Sequence, residues 1–106
     1  MTARKVGLVV NGTLRVHPDD APTFAKIISN TLNDILRNPA VCYYSVGADV
    51  ADRALFHIVE GWTDREALTL HNQSEEHQSA LREVGAKVRL IERNMRAYKV
   101  TGEEAL

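Results

Sequence analysis

Apolar and polar positions alternate between residues 5 and 16. Val6, Leu8, Val10, Leu14 and Val16 fall on one side, and Lys5, Asn11 and Arg15 on the other. A period of two predicts a half-buried strand. His17-Pro18-Asp19-Asp20 breaks the pattern and offers a carboxylate to cap the next element, with Pro22 in its first turn. Phe24, Ile27, Ile28, Thr31, Leu32, Ile35 and Leu36 then recur at spacings of three and four, the mark of an amphipathic helix. Asn38-Pro39 stops it. Val41 to Val46 reads as a second strand, Gly47 to Asp52 as a turn, and Ala54 to Trp62 as a third strand. Thr63-x-x-Glu66 fits a capping box that opens a short helix. Ser74 can cap a further helix whose apolar face holds Ala80, Leu81, Val84, Val88 and Ile91. Asn94 to Val100 closes the chain as a fourth strand.

The order β-α-β-β-α-β predicts an α+β, ferredoxin-like fold: an antiparallel four-stranded sheet with helices on one face. Leu55 and Val59 alternate away from Phe56 and Ile58, so the sheet carries apolar groups on both faces. An apolar face left in water is unfavourable, and packing two such sheets together covers it. The expected assembly is a homodimer.

Composition narrows the function classes. The 106 residues fit a single domain over 1–106, with a core of about 5–100 and a loose tail at 101–106. The net charge of −1, with acids and bases interspersed, provides no basic footprint for nucleic acid. No apolar run approaches a membrane span, and the short run after Arg4 and Lys5 suits a strand better than a secretory signal. Cys42 is the single cysteine, which excludes an internal disulfide and makes a reducing cytoplasm the expected compartment. No glycine-rich nucleotide fingerprint and no zinc-spaced Cys/His cluster is present, so neither a cofactor nor a metal is expected.

The stretch from Phe56 to His71 places polar groups where burial is expected. Glu60 and Trp62 share the side of Phe56 and Ile58, and His71 lies between Ala67 and Leu68 on the helical wheel. An imidazole there is either a core histidine bonded to backbone or a base for an acidic phenol or enol, titrating near neutrality. A buried carboxylate must pair, be solvated by a cavity or take up a proton. Glu60 is therefore either a structural acid or the group that orients His71. Trp62 is a wall whose N–H wants a partner, Glu60 or a substrate oxygen. His77 is a packing residue of its helix or a pocket residue. It lies six positions from His71, on the opposite face of a continuous helix, and a break at Asn72–Ser74 would reunite the two. Asn11 is a turn or bulge residue, or a donor to a ligand carbonyl. Tyr43, Tyr44 and Tyr98 divide between pocket and dimer interface, and His57 alternates away from the pocket.

The run Glu60-x-Trp62, Ala67-Leu68, His71, His77 resembles the strand–helix hallmark of the antibiotic biosynthesis monooxygenase family, and Asn38-Pro39-Ala40 stands where that family often has Pro-Gly before a strand. The resemblance covers roughly residues 5–100. It implies a dimeric α/β barrel and a cofactor-independent monooxygenase. The substrate would be a small electron-rich aromatic or quinol, with dioxygen as co-substrate. His71 would then be the base, Glu60 its orienting partner, and Trp62 and Asn11 donors to substrate oxygens, with Tyr43, Tyr44 and His77 as further substrate-binding residues. The chain departs from aromatic polyketide members at Ile58 and Leu68, and from haem-degrading members at His71 and Leu81. Other members isomerise small phosphorylated or keto compounds by a proton transfer that His71 would serve equally well. A non-catalytic, ligand-binding barrel is the third alternative.

Overall fold

The computed structural model describes residues 5–106; the first four residues, Arg4 included, lie outside it. Strand β1 (Leu8–Val16) leads through a 3-10 turn (Pro18–Asp20) into helix α1 (Ala21–Arg37). Strands β2 (Val41–Ala48) and β3 (Leu55–Trp62) form a hairpin. Two helices follow, α2 (Arg65–Gln73) and α3 (Glu75–Lys87), and then strand β4 (Leu90–Lys99). The sheet is antiparallel in the order β2-β3-β1-β4. This is the expected ferredoxin-like arrangement, with the second helical segment divided in two.

Local chemistry explains most boundaries, and some differ from expectation. Asp20 precedes α1 but does not cap it with its side chain. Its carboxylate instead binds Arg89, accepting from the backbone N at 2.8 Å and from Nε at 2.9 Å, and so ties the start of α1 to the start of β4. Asp64, not Thr63, caps α2: its Oδ1 accepts from the Ala67 amide at 2.8 Å. Asn38 turns the end of α1 by accepting the Ala40 amide at 2.9 Å. Helix α3 ends at Lys87, so Ile91 belongs to β4 and is exposed. Gly12 sits in the central strand at φ 156°, where an added Cβ would run into the Asn94 carbonyl oxygen of β4. Only a glycine allows that close approach of strands without strain.

The cross-strand register sets the inner face of the sheet. Leu8 pairs with Trp62, Val10 with Glu60, Gly12 with Ile58 and Leu14 with Phe56. Two apolar clusters form at the ends of this row. At one end Phe24 of α1 meets Phe56 edge-on, with ring centroids 4.7 Å apart, among Val16, Ala21, Ile27 and Val88. At the other end Trp62 packs with Leu8, Val41 and Leu68. Between them, above Val10 and Ile58, the helices stand off the sheet and leave a cleft. Among the described residues no helix is long and apolar enough to cross a membrane.

Candidate active site

Trp62 is fully buried, and Glu60, two residues earlier on the same inner face, is 8 % exposed. Their side chains meet directly: Trp62 Nε1 donates to Glu60 Oε1 at 2.9 Å. The indole ring, in turn, faces the imidazole of His71 in the last turn of α2, with centroids 5.0 Å apart. The Asp64 cap fixes where α2 begins, and this places His71 two turns later above the end of β3.

The break between α2 and α3 brings the second histidine in. Ser74 Oγ donates to the His71 carbonyl at 2.7 Å and accepts from the His77 amide at 3.2 Å. One serine therefore closes α2 and opens α3. The chain bends there, and the rings of His71 and His77 lie with centroids 4.7 Å apart. A continuous helix would have set them on opposite faces.

Glu60, His71, Ser74 and His77 line one side of the cleft, whose volume is about 1260 Å³, while Trp62 is fully buried and is not part of its surface. Tyr44 joins them from β2, beside Glu60 in the register. Apolar side chains of α1, β1 and β3, Ile28, Val10 and Ile58 among them, form much of the remaining wall. Asn11 and Tyr43 are not part of it. The parity that turns Val10 inward turns Asn11 to the outer face, where it pairs with Val59 and Arg96. Tyr43 lies on that outer face too, its ring over Gly61, where any Cβ would collide with it. Trp62 is also not free to serve a substrate oxygen, because Glu60 holds its N–H. Glu60 does not hydrogen-bond His71 among the described residues, so it reaches the imidazole through the indole.

Burial controls the electrostatics. It pushes His71 down to about 4, with the neighbouring His77 adding to the effect and Glu76 opposing it. His77 is lowered as well, again by burial. His71 is therefore neutral at pH 7, in place of the titration near neutrality expected from the sequence. Burial raises Glu60, against the Trp62 hydrogen bond and the charge of Arg93. Tyr44 is raised by burial and by Glu60, so its phenol keeps its proton as a donor. Among the described residues no group of three or more His, Cys, Asp or Glu is placed to hold a metal ion.

Arg93 is the inward-facing residue that the sequence analysis missed. It pairs with Leu14 in β4, borders the cleft and is felt by Glu60. Continuing the alternation of Ala97 and Met95 back by one step would have found it. The strand was expected to begin only at Asn94.

The sequence profile of the antibiotic biosynthesis monooxygenase family matches residues 7–83. The chain belongs to that family. A comparison with curated proteins finds none that matches. Solved structures share the fold at low identity. A candidate antibiotic biosynthesis monooxygenase of Deinococcus radiodurans superposes with a TM-score of 0.81 at 18% identity, covering 93% of this chain and 97% of its own. One from Caulobacter crescentus gives 0.80 at 17%, covering 92% of each chain. A Bacteroides thetaiotaomicron protein of unknown function, described as a possible oxidoreductase, gives 0.78 at 14%, covering 90% of this chain and 98% of its own. In this member of the antibiotic biosynthesis monooxygenase family, Glu60, Leu68, His71 and His77 of the hallmark run contribute to the cleft wall.

Proposed function

We propose that this chain is a cofactor-independent monooxygenase of small electron-rich aromatic or quinol substrates, working as a homodimer in the cytoplasm. The observation that carries the reading is the imidazole of His71 on the wall of a large, mostly apolar cleft, packed against the rings of Trp62 and His77. Burial keeps the His71 imidazole unprotonated and available at neutral pH, and it also lowers the driving force for taking a phenolic proton. His71 takes the substrate O–H proton. The phenolate gives one electron to dioxygen, leaving a substrate radical and superoxide. The two combine at a ring carbon to form a C–O bond and a peroxide anion. That anion recovers the proton from His71, and cleavage of the O–O bond with loss of the ring hydrogen releases water and leaves a quinone. One dioxygen thus yields one inserted oxygen atom and one water. Tyr44 stands ready to donate to the developing oxyanion, a contribution that grows in a low-dielectric site. Glu60 and Trp62 are positioning residues that hold the wall against which His71 packs.

The outer face of the sheet supports the dimer. Tyr43, Val59 and Tyr98 are 39%, 42% and 49% exposed there, a surface that a second copy would cover. Asn11 and Tyr43 belong to this interface in the proposal. Sedimentation at about twice 11.8 kDa is the expected result.

The test is aerobic oxidation of menadiol or an anthrone, followed by oxygen uptake and quinone absorbance. His71→Ala should lower the enzymatic rate by about 10²- to 10⁴-fold, the usual weight of a general base. Equal rates in both proteins would refute the role. Solvent deuterium entering a keto substrate without oxygen uptake would replace the reading with an isomerase.

A further inference from the structure

We propose that Arg93 is an anion anchor, and that the substrate is a hydroxylated aromatic bearing a carboxylate. The inference rests on the reading of the cleft as the substrate site. On the inner face of the sheet at the cleft, two positions are charged, Glu60 on β3 and Arg93 on β4, Tyr44 adds a phenol, and the other side chains are apolar. Strand β1 lies between the two charges: Val10 pairs with Glu60 and Leu14 with Arg93. They do not form an ion pair, yet the charge of Arg93 reaches Glu60. A guest seated over Val10 and Leu14 would lie between the two.

The acids around the cleft do not satisfy Arg93. Asp34 binds Arg37 and Glu83 binds Lys87, while Glu76 acts on His71. Arg93 itself has no ion-pair partner among the described residues. A guanidinium exposed at the border of a largely apolar cleft, with its donors unengaged by protein, suits a ligand oxyanion. Its planar fork matches a carboxylate in two parallel hydrogen bonds. A single guanidinium balances a single negative charge, which favours a carboxylate over a phosphate dianion. The hydroxyl-bearing end of the ring would then point along the row from Leu14 past Val10, toward Tyr44 and His71.

Calorimetric titration under nitrogen tests this without turnover, using 2,5-dihydroxybenzoate and its uncharged amide as probes. The acid should bind wild-type protein at least tenfold more tightly than the amide. In Arg93→Gln the preference should fall below threefold, and Arg93→Lys should retain part of it. Arg93 is exposed, and an unchanged far-ultraviolet circular dichroism spectrum verifies that each variant folds. Equal affinities for acid and amide in wild type, a preference that survives Arg93→Gln, or no saturable heat from either probe would overturn the anchor. Arg93-dependent binding of the acid with no oxygen uptake in air would leave the anchor standing and remove the monooxygenase reading. Oxidation of the acid and the amide with equal affinity would do the reverse.

Discussion

Replacing Trp62 with phenylalanine isolates the bond that organises the site. The residue is fully buried, and its N–H is the hydrogen-bond donor to the buried Glu60 carboxylate, at 2.9 Å. Phenylalanine keeps an aromatic ring but removes that donor. Loss of a hydrogen bond to a charged group costs about 1.5–3 kcal/mol. The void left by the smaller ring adds about 1 kcal/mol. The sum, about 3 kcal/mol, corresponds for a domain near 100 residues to a Tm drop of roughly 12 °C or more.

The penalty should also depend on pH, and the sign follows from Glu60. Burial raises its folded-state pKa above the unfolded value, so its favourable contribution is present below the unfolded pKa and lost as pH rises through the folded one. The Trp62 hydrogen bond opposes that rise. Trp62→Phe lets the folded pKa climb further and widens the window of loss. The variant should therefore be more severely destabilised at pH 8 than at pH 4. Urea unfolding followed by circular dichroism at both pH values measures this, at one protein concentration so that dimerisation is held constant. Glu60→Gln keeps an acceptor without the charge and should remove most of the pH dependence. A Trp62→Phe cost below 1 kcal/mol, or one that is equal at pH 4 and pH 8, would refute the reasoning.

Two further outcomes follow from the same structure. With His71 lowered to about 4, kcat/KM for quinol oxidation should be flat through neutrality and fall only as the pH approaches 4; a limb near 6.5 would show an imidazole that is not buried. The Arg89 contacts hold Asp20 down to about 2, so its stabilising contribution is present above the unfolded carboxylate range and is lost as pH falls through 2. Asp20→Asn should therefore flatten the decline of Tm between pH 4 and pH 2, and an unchanged decline in thermal scans would contradict that link.

Strand parity was the most reliable guide to the site. Counting by two along β3 was enough to put Glu60 and Trp62 together beneath the helices. The same count through β1 placed Asn11 opposite Val10, and the structure keeps it there, away from the cleft. Parity failed where two periods overlap. Val84, Val88 and Ile91 continue a helical spacing across the actual end of α3, which hid the start of β4 and with it Arg93. The meeting of His71 and His77 depended on the double role of Ser74, a tertiary geometry that spacing alone leaves open. Asp20 reads locally as a helix cap because its partner, Arg89, is 69 residues away. Burial of His71 is a property of the assembled cleft, so its lowered pKa has no signature in the chain.

The most direct examination of the catalytic account is a nuclear magnetic resonance titration of the His71 imidazole, free and with 2,5-dihydroxybenzoate under nitrogen. The account predicts a free-protein pKa near 4 and a clear displacement of the His71 resonances when the aromatic binds. An imidazole that titrates near 6.5 and is indifferent to the ligand would contradict it.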